Sequence, residues 1–300
     1  MPQNTLSTKI PFGCDTLGRL THVMLHEPAD ELKLITAENY RKWLFDKPPI
    51  IEKYIEEHRK YRQILLDNNV TVIDLKDCLT TMANQLTSMP NLTFLHDIAV
   101  ISSKGALLSS LISPARKDEH RVLKQALTNL GIPILHEFAN PKDSFEGCLL
   151  LSPDTLLVAE TERHSRQAVT TFIKNTLPHF PNIIYVDLPK QRRYMHPDTI
   201  FNRITKNLAL AYLPVFKHTL LYTPAGVTQI DFENYMKKRG IEIINVTDRE
   251  QKNLACTFVP LAPGVMIHYD SVLQHQTIKK LTKKGVQLIL FKAKELKAGG

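Results

Sequence analysis

His196 and Asp198 stand two residues apart in Tyr194-Met195-His196-Pro197-Asp198-Thr199, behind the basic run Lys190, Gln191, Arg192, Arg193 and ahead of an apolar segment from Ile200 to Leu213. In an extended segment a spacing of two puts both side chains on one face. The pair therefore reads as a proton carrier beside a carboxylate. Two further acids occur in similar settings, Asp97 at the end of Pro90-Asn91-Leu92-Thr93-Phe94-Leu95-His96-Asp97 and Glu146 in Phe145-Glu146-Gly147. One imidazole among three carboxylates can bind a planar cation through charge-assisted hydrogen bonds and move protons around it. The same residue types ligate metals, but the spacings HxH and ExxH do not occur, so no metal is expected.

Two arginines precede amphipathic stretches: Arg116 in Pro114-Ala115-Arg116-Lys117-Asp118-Glu119, and Arg163 in Glu160-Thr161-Glu162-Arg163-His164-Ser165. An arginine fork matches a carboxylate. Each is a candidate for holding the acid end of an amino-acid substrate, and each is also what a surface helix start would carry.

Positioning such groups needs a scaffold, and the sequence shows one by repetition. The endings Asn69 to Leu75, Gly131 to Leu135, Asn182 to Leu188, Gly240 to Val246 and Gly285 to Phe291 share one shape, a helix-stopping Gly or Asn followed by a β-rich run. Amphipathic helices precede them, with stripes at Ile51, Tyr54, Ile55 and His58, at Val122, Leu123, Ala126 and Leu127, at Ala168, Val169, Phe172 and Ile173 behind a cap at Ser165, at Phe232, Tyr235 and Met236 behind Asp231, and at Leu273, Thr277 and Leu281. Ahead of the helices lie strand pairs joined by turns such as Lys104-Gly105, Ser152-Pro153-Asp154 and Ala262-Pro263-Gly264. The unit is strand, turn, strand, helix, strand, repeated five times at roughly 17–77, 78–140, 141–190, 191–248 and 249–300 within a single domain spanning 1–300. A closed five-fold arrangement would cover every sheet edge and bring the polar residues to a common axis, whereas an open α/β sheet would show single strands.

Composition fits a globular chain: of 300 residues, 43% are hydrophobic and 23% charged. No apolar run is long enough for a membrane span and Met1 to Lys9 is polar, which points to a cytoplasmic protein with no membrane partner. Cys14, Cys78, Cys148 and Cys256 are widely spaced and expected to be reduced. The net charge of +8 is spread among acids, and the lysines of the last fifth read as a solvated helix face, so no nucleic-acid partner is expected.

With these residues in place, the chain resembles the guanidino-group-modifying superfamily of arginine deiminases, dimethylarginine hydrolases and amidinotransferases. The similar segments are Gly18-Arg19-Leu20-Thr21-His22-Val23-Met24-Leu25-His26-Glu27-Pro28, Pro90-Asn91 to Asp97, Pro114-Ala115-Arg116, Glu146-Gly147, Glu162-Arg163-His164-Ser165, Met195 to Thr199 and Ala262-Pro263-Gly264-Val265. The resemblance implies an α/β fold, the five-bladed ββαβ propeller (pentein) with pseudo-five-fold symmetry. It implies that Asp97 and Asp198 grip a guanidinium, that His196 is the general acid and base, and that Glu146 supports it. Asn91, Phe94, Arg116 and Arg163 would hold the amino-acid part. No cofactor is implied. Only about a dozen residues separate Cys78 from Pro90, so the chain is similar to the compact members, without the helical insertion.

The family's nucleophile is a cysteine a few residues after a glycine pair near the C-terminus, and here Ala298-Gly299-Gly300 are the final residues given. Cys256 falls in an expected strand of the fifth unit and reads as core, and Cys148 takes a glycine position of the family pattern. The expectation is an arginine-deiminase-like hydrolase of a small guanidino or amidino substrate such as arginine, its thiolate lying past Gly300. Amidino transfer to an amine is one alternative, and a catalytically inactive propeller that serves as a binding protein is another. Oligomeric state stays open, a homo-oligomer included.

Overall fold

The computed structural model describes residues 10–13 and 17–299, so Cys14 and Gly300 lie outside the described residues. Among these, sixteen strands form five sheets. The first contains β1 (His22–Leu25) and, after α1 (Ile51–Asp67), the parallel strand β2 (Thr71–Asp74). The next unit runs β3 (Ala99–Ser102), β4 (Gly105–Ser109), α2 (Glu119–Asn129), β5 (Ile134–Phe138), with β3 antiparallel and β5 parallel to the central β4. The third repeats this as β6 (Leu149–Ser152), β7 (Thr155–Glu160), α3 (Arg166–Thr176), β8 (Asn182–Asp187). The fourth begins β9 (Phe201–Thr205), β10 (Leu208–Ala211) and then departs from the pattern. A hairpin, β11 (Thr219–Thr223) and β12 (Gly226–Gln229), is inserted and pairs with β8 of the preceding unit, which makes that sheet five-stranded. The fourth unit resumes with α4 (Phe232–Lys238) and β13 (Glu242–Asn245), followed by α5 (Asp248–Lys252). The last is β14 (Val259–Ala262), β15 (Val265–Tyr269), α6 (His275–Lys283), β16 (Gln287–Phe291), followed by α7 (Lys294–Lys297).

The helices form where the apolar period is 3.6, and their ends follow local chemistry. Ser165 and Asp231 accept from the backbone N–H of Ala168 and Asn234. Asn69, Gly131, Gly240 and Gly285 adopt the left-handed conformation that stops four of the helices. The third ending differs, because Asn182 opens β8 instead of capping α3. The expected pattern also fails in the first unit, where no described strand precedes β1 to form its hairpin. Cys256 is fully buried as expected, but in a turn ahead of β14 and not within a strand.

Apolar clusters fill the space between sheet and helix, as with Val122, Leu123, Ala126 and Leu127 of α2 against Ala106 and Leu108 of β4, and some are shared between units, as where Leu25 of β1 and Leu65 of α1 pack with Leu261 of β14 and Ile267 of β15. No described helix is long and apolar enough to cross a membrane.

Candidate active site

Three of the candidate acids lie on segments that lead into the first strand of a unit: Asp97 two residues before β3, Glu146 three before β6, and Asp198 three before β9. These equivalent positions converge on a cavity of about 770 Å³, whose wall includes Asn91, Phe94, Asp97, Arg116, Arg163, His196 and Asp198. The local geometry that delivers His196 and Asp198 is not the alternation of a strand. His196 is extended, Pro197–Thr199 forms a single 3-10 turn, and the turn brings Asp198 Oδ1 to 3.8 Å from His196 Nδ1.

His196 is nearly fully buried and surrounded by acids. Its Nε2 lies 2.9 Å from Glu146 Oε2, and its Nδ1 lies 3.6 Å from Asp97 Oδ1. Burial alone would lower the imidazole pKa, but Asp97, Glu146 and Asp198 outweigh it, and the ring holds its proton above the ordinary value. For Glu146 burial pushes the other way and is again outweighed. The hydrogen bond and charge of His196, with Arg163 donating to the same oxygen at 3.2 Å, hold this carboxyl well below the usual range. Asp198 differs: burial and the neighbouring Asp97 charge exceed the pull of His196 and His96, and its pKa is raised.

Gly147 makes this assembly possible. A β-carbon there would lie 2.6 Å from His196 Cβ and 3.1 Å from Asp198 Oδ1, and the residue has φ of +59°, which favours glycine.

Arg116 and Arg163 turn inward. Arg116 is buried, donates from Nη1 to Asp97 Oδ2 at 2.6 Å and from Nε to Glu119 Oε2 at 2.9 Å, and reaches the carbonyls of Asn91 and Phe94 with Nη2. Arg163 contacts Glu146, Glu162 and the sulfur of Met195. Both forks are thus engaged by the protein's own groups. Glu119, fully buried, has its carboxyl pushed up to about 7 by desolvation despite Arg116. Asn91 donates from Nδ2 to Trp43 O, while neither its buried Oδ1 nor Asp198 Oδ1 has a donor among the described residues.

Several contributors were not singled out by sequence reasoning. Glu119 follows Arg116 by three residues, the spacing of an ion pair at a helix start. His164, beside Arg163, accepts from the Glu146 N–H at 2.7 Å through Nε2 and is kept neutral by burial, its pKa lowered to about 4. The Tyr40–Leu44 turn has no local signal; it reaches the site through a tertiary contact, Trp43 O accepting from Asn91 Nδ2, whereas Gly299 belongs to the glycine pair noted in the sequence. A β-carbon on Gly299 would lie 2.9 Å from Phe94 Cζ and 3.0 Å from Phe45 Cε1. Among the described residues no three His, Cys, Asp or Glu side chains are grouped so as to hold a metal ion.

The arrangement can therefore bind a donor-rich cation against Asp97 and Asp198 with a protonated imidazole alongside. A family model for arginine deiminase matches residues 83–300. Arginine deiminase of Listeria welshimeri is 23% identical over 85% of this chain and 87% of its own length. Among solved structures, the product-bound N-terminal domain of ArgZ, an arginine dihydrolase from the ornithine–ammonia cycle in cyanobacteria, superposes with a TM-score of 0.69 at 17% identity, covering 94% of each chain. A mutant of DDAH from Pseudomonas aeruginosa complexed with citrulline gives 0.65 at 15% identity, covering 94% of this chain and 96% of that one. The relatives define the class as the guanidino-group-modifying superfamily. Within it, this chain belongs to the arginine deiminase family.

Proposed function

We propose that the chain binds a small guanidino compound, arginine or a derivative, and supplies the acid–base groups for hydrolysis of its C–N bond. The observation that carries this reading is the set of acceptors on the cavity wall. Asp198 Oδ1 and Asn91 Oδ1 are buried without donors among the described residues, and Asp97 lines the same cavity. Buried acceptors are normally satisfied, and a guanidinium offers a planar array of N–H donors with the complementary charge. In this reading Asp97 and Asp198 hold the guanidinium, His196 protonates the departing amine and then activates water, and Glu146 fixes and charges His196. Arg116 orients Asp97, Arg163 steadies Glu146, and Asn91 and Phe94 shape the pocket.

The covalent step of such chemistry needs a thiolate. Burial pushes the Cys78, Cys148 and Cys256 thiols up, away from the reactive form. The nucleophile in this reading is a cysteine other than these three. That same inertness favours one rival, a protein that binds the guanidino compound without turning it over.

The five units, with the boundaries given above, are proposed to close as a five-bladed propeller in one domain. Neighbouring units touch through β3 and β6 and through β9 and β14, and the first unit meets the last through the Leu20 N–H to Leu261 O bond of 2.8 Å. These contacts support closure.

The test is incubation of the protein purified from its natural source with arginine, with and without glycine as acceptor amine. Release of ammonia with citrulline supports the hydrolase. Transfer of the amidino group to glycine would make it an amidinotransferase, and saturable arginine binding without product would make it a binding protein. Absence of arginine binding overturns the guanidino reading.

A further inference from the structure

Four of the five sheets end on the strand that follows the helix, and each of those strands carries or adjoins a charge. Asp74 of β2 is paired with Arg62, Glu137 of β5 with Lys124 and Glu242 of β13 with Lys284, while Lys292 directly follows β16. Charged side chains along an end strand discourage it from pairing with another chain. The third sheet is built differently. Its strand β8 is covered by the inserted hairpin, so that sheet ends on β12.

The strand β12 has no such guard. From Thr219 to Ile230 the sequence contains no charged side chain, although the chain as a whole has a net charge of +8. All four residues of β12 are exposed, Val227 to 55%. Within the hairpin Val227 stands opposite Tyr222, Thr228 opposite Leu221 and Gln229 opposite Leu220, and the Ile230 N–H donates to Thr219 O at 3.0 Å. Antiparallel ladders alternate bonded and non-bonded pairs. The N–H and C=O of Val227 and Gln229 therefore point away from β11, and they have no partner among the described residues. None of the hairpin residues lines the cavity that holds Asp198.

We propose that β12 is a dimerisation edge that pairs antiparallel with β12 of a second copy of this chain, about a two-fold axis at Thr228. In that register Val227 of one copy faces Gln229 of the other and the two exchange N–H···O bonds. Each strand then satisfies every outward group of its twin, as an isologous contact requires. Thr228 meets its own counterpart on the axis, a favourable cross-strand pair. A copy fits this edge because the meeting surface is neutral: two chains of like net charge approach there without opposing charges. At β2, β5 or β13 self-pairing would bring carboxylates together. The two five-stranded sheets then run on as one across the dimer. The contact is small, which makes association weak and dependent on concentration.

Sedimentation velocity of the whole chain from about 1 to about 100 µM tests this. The wild type should move from 34.2 kDa toward twice that mass as concentration rises. Thr228→Lys sets two ammonium groups against each other on the axis and should weaken association at least about tenfold. Val227→Pro removes an outward N–H while sparing the bonds to β11, and should weaken it as well. Both variants should keep the melting temperature of dilute wild type. Oxidation should cross-link Thr228→Cys, because opposed residues of a non-bonded pair lie within disulfide reach, but not Val227→Cys, whose thiols would be staggered along the strands. A wild type that stays at the mass of one chain throughout overturns the proposal, as does a dimer that survives both Thr228→Lys and Val227→Pro. Cross-linking of Val227→Cys in place of Thr228→Cys overturns the register and the axis with it. A single-chain wild type that co-purifies with another protein, lost in Thr228→Lys, would give the edge to a foreign strand and likewise overturn the pairing of copies.

Discussion

Glu146 Oε2 is shared by two cations, with His196 Nε2 at 2.9 Å and Arg163 Nη1 at 3.2 Å, while the carboxyl itself is 1% exposed. The signs of the two pKa shifts define a pH window. Glu146 has a folded pKa below its ordinary 4.5, so its stabilisation is present above that pH and is lost as acid carries the solution down through the folded value. His196 has a folded pKa above 6.5, so its stabilisation is complete below that pH and is lost as the solution rises through the folded value. The pair contributes most between 4.5 and 6.5 and less on either side. Glu146→Gln should cost about 3–5 kcal/mol inside this window, as expected for breaking a buried pair. Denaturant unfolding across pH reads the difference, and a constant offset from the wild type would count against the coupling.

Arg116 has a role that substrate binding alone does not account for. Its removal leaves Glu119, 0% exposed, and Asp97 without their shared counterion. Arg116→Ala should lower stability by about 3–5 kcal/mol in the absence of any ligand. A normal unfolding midpoint combined with weakened arginine binding would instead return Arg116 to a direct role at the ligand.

Gly147→Ala tests the packing beneath the imidazole. Its β-carbon would fall 2.6 Å from His196 Cβ in a backbone already at φ of +59°. The expected cost is about 1–3 kcal/mol from the backbone alone, with loss of guanidino binding because His196 and Asp198 must move. Crystals of the variant with both side chains in place and unchanged arginine affinity would refute the argument.

Asp97→Asn and Asp198→Asn keep the shape of the cavity and remove its charge. Each should weaken arginine binding by at least about tenfold, the effect of losing a charge-assisted partner. Asp97→Asn should also loosen Arg116, so its melting temperature should fall further than that of Asp198→Asn. Calorimetry and thermal unfolding on the same samples separate the two effects.

Much of this architecture is legible in the sequence where the physics is local. The stripes of α1, α2, α3, α4 and α6, the caps at Ser165 and Asp231 and the left-handed stops follow from periodicity and backbone sterics. The β11–β12 hairpin was not legible, since Gly226–Gln229 is exposed throughout and pairs outward toward β8's sheet, with no buried face to impose alternation. The five-residue α5 is too short for a helical period, although Thr247 and Glu250 form its capping box. At the site, residue types pointed to the converging acids and histidine, but not to the direction of the arginines. Arg116 faces Asp97 because the chain folds Glu119 and the Asn91 and Phe94 carbonyls around it, and such encirclement leaves no trace in spacing.

The seventh helix is fastened to the first. Both Glu57 oxygens accept from the N–H groups of Lys294, Glu295 and Leu296 at 2.7 to 2.9 Å, Lys47 meets Glu295 at 2.6 Å, and the Asp46 N–H reaches Ala298 O. Partners more than 230 positions apart are the slowest kind to find one another. During synthesis the wall that Leu296 and Gly299 give to the cavity is therefore assembled only once α7 has left the ribosome and returned to α1, later than the walls carried by the earlier units.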